Sequence, residues 1–391
     1  MQNGQTIYKN SELGLIPDDW DVKEFQDVMD GFSSGQTPYR GNPEFYKGDI
    51  PWITSGELNY NIITDTKEKI TPEGVKEANL KMIPKGTFLM AITGLEAAGT
   101  RGSCGITGII ATSNQSCMAL YPKNGLLITP YLYHYYVRYG DELAFKYCQG
   151  TKQQSYTGGI AKKLPILIPR TINEQKVIAT ALSDTDALIT SLEQLISKKR
   201  AIKQGAMQEL LRPKDGWEVK KLGEIADIYT GKRNNQDKVE NGKYPFFVRS
   251  QNVERINSYS FDGEAILIPG EGNIGKIFHY INGKFDVHQR VYMISNIKNG
   301  FLVKYIYRYI SEYFGKHAME NSVKATVDSL RLPTFQIFKI PYPSLQEQTQ
   351  IATILSDMDA EIENLEIKLR KYKQIKQGMM QQLLTGKIRL V

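Results

Sequence analysis

Glu174–Leu211 reads EQKVIATALSDTDALITSLEQLISKKRAIKQGAMQELL, and Glu347–Leu384 reads EQTQIATILSDMDAEIENLEIKLRKYKQIKQGMMQQLL. Shifted by 173 residues, the two align without a gap and are identical at 22 of 38 positions. So long a match at so large a separation marks a duplicated unit, and duplication implies pseudo-symmetry. In the second copy the apolar positions Ile351, Leu355, Met358, Ile362, Leu365, Leu369 and Tyr372 alternate spacings of four and three. That is the seam of a coiled coil rather than the broad stripe of a globular helix. Ile178, Leu182, Thr185, Ile189, Leu192 and Ile196 repeat it on the same frame. The simplest partner for each seam is the other copy, and a two-fold relation between copies makes the helices antiparallel. Each would be roughly 57 Å long at ~1.5 Å per residue.

Each helix follows a globular stretch of ordinary domain size, so the order is residues 1–172 globular, 173–212 helical, 213–345 globular and 346–391 helical. The globular stretches open alike, with Trp20 in IPDDWDVKEFQDV and Trp217 in PKDGWEVKKLGEI. Both then show a Gly-rich segment after an apolar strand, at Gly86 and Gly263. A polar-Gln-apolar strand follows in each, SNQSCMALYP from Ser113 and VHQRVYMIS from Val287. An aromatic helical stretch comes next, YLYHYYVRY from Tyr131 and FLVKYIYRY from Phe301, and a Pro-punctuated strand closes each copy. The offset is 197 at the tryptophans, 170 at the aromatic stretches and 173 at the helices, so the globular copies have diverged by loop insertions while the helices have not. Short β-rich runs bounded by Gly, Pro and Asn give an α+β class. Two mixed α/β domains are separated by two long antiparallel coiled-coil helices in a pseudo-two-fold repeat.

Bulk composition excludes more than it identifies. Three cysteines, Cys104, Cys117 and Cys148, without a CxxC argue for a reducing cytoplasm and against a disulfide framework or a zinc finger. No run approaches the roughly 18 apolar residues of a membrane span. Net charge is +7 overall. Residues 1–172 are neutral and residues 213–345 carry +5, a balance compatible with nucleic-acid binding.

Catalytic signatures fail on inspection. Gly270–Lys276, GEGNIGK, fits a phosphate-loop pattern, but Ile277 stands where Ser or Thr would hold magnesium. It reads as an inter-strand turn. Asn42–Phe45, NPEF, resembles an amino-methyltransferase signature without a preceding strand or a cofactor motif ahead of it. Asp21-Val22-Lys23 lies too close to Pro17-Asp18 for a nuclease centre. His134, His279, His288 and His317 lack metal-ligand spacing. No Ser-His-Asp arrangement is recognisable. A self-contained modification enzyme would need a methyltransferase motif set. A purely structural adaptor would show no salt-dependent DNA binding.

The repeated EQ...IA..LS..D and KQGMMQQLLTGKIRL segments, the ILIPGEGNIGK turn and the Trp-containing openings resemble the specificity (S) subunit of bacterial type I restriction-modification systems, over essentially the whole chain. The resemblance implies a non-catalytic subunit whose globular units are target-recognition domains, each reading half of a bipartite double-stranded DNA target. The helices would be spacers that also bind two methyltransferase (M) subunits, with restriction (R) subunits joining the larger complex. Adenine methylation would use S-adenosylmethionine bound by the M subunits, and the R subunits would use ATP and magnesium. No cofactor or metal is expected on this chain.

Base reading needs hydrogen-bonding side chains on loops, with cations on phosphates. In the first unit the candidates are Thr37, Arg40, Arg101, Lys152, Gln153 and Gln154. In the second they are Lys232, Arg233, Arg249, Gln251, Lys276, Arg290 and Lys324. Polar identities in the helices (Asp184, Asp186, Lys203 and Gln204 matching Asp357, Asp359, Lys376 and Gln377) suggest a shared docking surface for two copies of one partner.

Overall fold

The computed structural model describes residues 7–96, 100–150, 154–322 and 329–390. The long helices span Ile172–Leu210 and Leu345–Leu383. The chain divides into two compact units, and each long helix contributes to both. The first unit runs up to Ser191 and resumes at Leu369, and the second is Leu192–Lys368. The spacer segments are therefore not bodies of their own: each head keeps half of both helices.

In the first unit five strands lie in the order Met29–Ser34, Cys117–Pro122, Phe88–Ala91, Cys104–Thr107, Asn61–Ile63. The first four pair antiparallel and the last is parallel to its neighbour. Phe88–Ala91 is central and buried along its length, as a short all-apolar run requires. The helix Thr129–Tyr147 covers the sheet with Tyr131, Leu132, Tyr135 and Tyr136, and Pro130 sits in its first turn, where a missing N–H costs nothing. Trp20–Glu24 and Pro165–Pro169 form a separate antiparallel ladder that leads into the first long helix.

The second unit repeats this plan. Its sheet order is Asp227–Thr230, Val291–Ser295, Phe261–Pro269, His279–Val287, Tyr244–Phe247, Glu254–Ile256. The first four strands are again antiparallel, and Tyr244–Phe247 joins the end of the fourth in parallel. Glu218–Lys221 with Lys339–Tyr342 is the matching ladder. The aromatic helix is Val303–Glu320.

The structure corrects the register of the aromatic helices. Tyr131 donates its hydroxyl to the Leu167 carbonyl at 2.9 Å, and Tyr305 donates to that of Pro341 at 2.7 Å. Tyr131 therefore matches Tyr305, not Phe301. The structural offset is 174, one helical turn from the 170 of the sequence alignment, because aromatic residues recur every three or four positions.

The junction of head and helix is fixed by a buried amide. Gln175 accepts from the Ile128 N–H and donates to the carbonyls of Leu126 and Pro169. Gln348, 173 residues on, accepts from Leu302 N–H and donates to Gly300 and Pro343. Both side chains are fully buried, so each must find partners inside the protein. Glu174 beside it receives the Arg389 guanidinium, which also forks onto Asp19 at 2.9 and 2.8 Å. In the second unit Lys214 takes that place on Glu347 at 3.2 Å.

The helix halves run antiparallel within each unit. In the first, Thr185 meets Met379 while Asp186 pairs with Lys376. In the second, Lys199 pairs with Glu361 and Lys203 with Asp359. Ile178 and Leu182 share the first core with Met380, Leu383 and Leu384. Met207 and Leu211 share the second with Ile351 and Leu355.

Candidate nucleic-acid interface

The second head gathers its polar loops at one end of the central strand Phe261–Pro269. Gly270–Lys276 leaves that strand, Arg249 follows Tyr244–Phe247, and His288–Arg290 turns into Val291–Ser295. The Gly270 N–H bonds the Arg290 carbonyl at 2.9 Å, and the Gly270 carbonyl accepts from Leu330 at 2.8 Å. Farther along the same loop, Gly275 has φ +67°, and a Cβ there would stand 2.9 Å from the Cα of Gly315 on the aromatic helix. Only glycine fits both the left-handed backbone and the close approach. Gly102 and Gly140 make the same contact in the first head.

These loops enclose an open cavity of about 510 Å³ lined by Asn235, Arg249, Ser250, Glu271, Asn273 and His288. Glu271 is part of its lining. One of its oxygens takes Arg249 at 3.3 Å and the other takes Arg290 at 3.2 Å. Both arginines remain half exposed, while Glu271 is 23% exposed. Burial, followed by the charges of Arg249 and Arg290, holds His288 below its ordinary pKa. Its Nδ1 accepts from the Arg290 backbone N–H at 3.0 Å, which leaves the proton of a neutral ring on Nε2.

Arg233 is held differently. Its Nε faces Asp286 at 3.4 Å and an Nη donates to Ser258 at 3.0 Å, while Ser258 in turn donates to Asp286. Asp286 is 2% exposed, so this arginine neutralises a buried carboxylate and braces the loop. Lys232, Gln251 and Lys276 are exposed. Lys324 lies outside the described residues.

In the first head Arg40 spans both oxygens of Glu68 at 2.6 and 2.9 Å and stacks over Tyr46 and Trp52. The Glu68 hydrogen bonds hold its pKa above, and the Arg40 hydrogen bonds hold that of Glu68 below, their ordinary values. Arg101 is 18% exposed, pairs with Asp141 at 3.0 Å and lies over Phe145. Gln154 contributes its backbone carbonyl to Leu95. Lys152 and Gln153 lie outside the described residues. Thr37 donates to Gln115 at 2.6 Å.

Two glutamines absent from the sequence candidates emerge. Gln115 is bonded by Thr37 in the first head, and Gln289 is bonded to Asn234 in the second. Both are exposed and occupy the same turn ahead of the same strand. The signal was present in SNQS and VHQR, where a Gln recurs before each apolar run.

The helix candidates also find partners within the chain. Asp186 pairs with Lys376 at 2.5 Å. Asp359 takes both Lys203 and Arg308, the latter at 2.5 Å. Gln204 donates to Glu312. Asp184, Asp357 and Gln377 are exposed. Matched polar identity at Asp186, Lys203, Asp359 and Lys376 thus reflects one ion pair made twice. Among the described residues no group of three or more His, Cys, Asp or Glu is placed to hold a metal, and no helix is long and apolar enough to cross a membrane.

A family model described as the type I restriction modification DNA specificity domain matches residues 17–203 and again 214–375. The type I restriction enzyme MjaIX specificity subunit of Methanocaldococcus jannaschii is 31% identical over 296 residues, 67% of this chain; the match spans just under two thirds, 65%, of that subunit. The MjaVIII specificity subunit of the same organism is 26% identical over 420 residues, covering 96% of this chain and 94% of the relative. The crystal structure of a type I restriction-modification S subunit from M. genitalium superposes with a TM-score of 0.65 at 18% identity, over 93% of this chain and 96% of that one. At that identity the likeness speaks to the fold.

Proposed function

The chain belongs to the type I restriction-modification DNA specificity family, and from that premise we propose that each of its heads reads one half of a bipartite duplex target. Its role in the complex is sequence specificity rather than catalysis. The observation that carries the two-headed reading is the repetition of the site. Equivalent sheets present a Gln-bearing turn at the same position, with different neighbours: Thr37 in one head, Asn234, Arg249 and Arg290 in the other. One framework with two polar surfaces suits a target whose halves differ.

The long helices, 39 residues each, set the distance between the half-sites. About 58 Å of helix bounds the span below roughly 17 base pairs at ~3.4 Å per pair. Two methyltransferase subunits dock on the helical region and supply adenine methylation from S-adenosylmethionine. Restriction subunits, where present, bring ATP- and magnesium-dependent cleavage. The complex works in the cytoplasm.

The test is genome-wide mapping of methylated adenines in the source strain, with and without this gene. A two-part motif that disappears with the gene supports the reading. Methylation unchanged by its loss overturns it.

A further inference from the structure

We propose that Arg249, Glu271 and Arg290 together read a G·C base pair in the half-site of the second head. The inference rests on the DNA-reading role proposed above and adds which base pair the site accepts.

Loop arginines that only anchor a duplex meet phosphate oxygens, and a carboxylate between them would repel the same phosphates. Here Glu271 sits between two arginines, paired with each through a different oxygen at 3.3 and 3.2 Å. It is held there by backbone: Gly270 is tied to Arg290 and Leu330, and Glu271 itself bridges to Ser329. An acceptor fixed between donors is a pattern for reading base edges.

The pattern matches one class of base pair. Across the major groove a G·C pair presents two acceptors, guanine N7 and O6, then a donor, cytosine N4. One arginine fork beside the glutamate offers two donors and then an acceptor, the direct complement. An A·T pair presents acceptor, donor, acceptor. Against the same groups it would oppose adenine N6 to arginine and thymine O4 to the carboxylate. Each arginine gives one Nη to Glu271, and five N–H donors are available in each guanidinium. A single pair carries one guanine, so one arginine forks onto its N7 and O6 beside Glu271 while the other holds the second carboxylate oxygen and fixes the acceptor in place. His288 keeps its Nδ1 on the Arg290 backbone and holds that turn in place.

The first head has no such group among the described residues. Ser116 stands after Gln115 where Arg290 stands after Gln289. Arg40 closes its fork on Glu68 with two parallel bonds.

The experiment uses the full chain co-expressed with its methyltransferase partner, with methylated adenines mapped in cells carrying wild type, Glu271→Gln, Arg249→Ala or Arg290→Ala. The wild-type motif is expected to contain a G·C pair in the half altered by these variants. Glu271→Gln keeps size and shape but adds an amide donor, and should raise modification at sites with A·T in that position by about tenfold relative to G·C sites. Whichever arginine reads guanine should, as alanine, lower modification of the wild-type motif by about tenfold or more. A half-site of A·T pairs only, or a uniform fall at all sites with the motif unchanged, overturns the G·C assignment while leaving DNA reading intact. A wild-type complex that modifies DNA with no sequence motif overturns the underlying reading instead.

Discussion

Lys376 pairs with Asp186 at 2.5 Å between antiparallel helix halves of the first unit, and Lys203 pairs with Asp359, their counterparts 173 residues away, in the second. Asp359 additionally takes Arg308. These side chains are partly exposed, so solvent screens them and each pair contributes only about 0.5–1 kcal/mol. A double-mutant cycle of Asp186→Ala and Lys376→Ala, read by urea denaturation, should return a coupling of that size. A larger loss of methyltransferase binding in the same variants would show that the pair also meets the partner.

Gln175→Ala and Gln348→Ala should each destabilise the chain by about 2–4 kcal/mol. Each leaves one buried carbonyl, that of Pro169 or Pro343, and a part-buried N–H and carbonyl without their partner, at roughly 1–3 kcal/mol for the buried group and less where water reaches. Equilibrium unfolding checks this, and a cost below about 1 kcal/mol would show that water replaces the amide.

Gly275→Ala and Gly272→Ala separate two effects in one loop. Both glycines have positive φ, but only Gly275 faces another backbone, while a Cβ on Gly272 meets nothing within 4 Å. Gly272→Ala should cost about 1 kcal/mol for the left-handed backbone. Gly275→Ala should cost more, because the loop must move off Gly315. Thermal unfolding midpoints of the two variants decide it.

His134 gives stability a pH dependence. Burial lowers its pKa to about 4, below an unfolded value near 6.5. Between these values the unfolded chain binds a proton that the folded chain does not. His134 therefore lowers stability as pH falls from about 6.5 toward 4, with a slope of at most about 1.4 kcal/mol per unit. Comparing wild type with His134→Gln by denaturation at pH 7 and pH 5 isolates the contribution. The variant should lose less stability between the two.

Matching four-residue insertions in the 188–196 and 361–369 segments should lengthen both helices by about 6 Å. The spacing between half-sites in the methylation motif should grow with them. An unchanged spacing would remove the helices as the ruler.

The repeat, the two long helices and the order of elements in each head are legible in local spacing. Helical and strand periodicity depend on neighbours three, four or two positions apart, and Ile178, Leu182, Ile351 and Leu355 could be read from spacing alone. Which polar side chains brace the protein is set by pairing between distant segments. Arg40 and Arg101 looked like Arg249 and Arg290, but their carboxylates come from Glu68 and Asp141, 28 and 40 residues away. Glu271 looked like part of a turn until the fold brought two arginines to it from separate loops. A buried group such as Gln175 takes its partners from segments up to 49 residues distant. No local pattern encodes such pairings, because chain reversals rather than residue spacing bring the groups together.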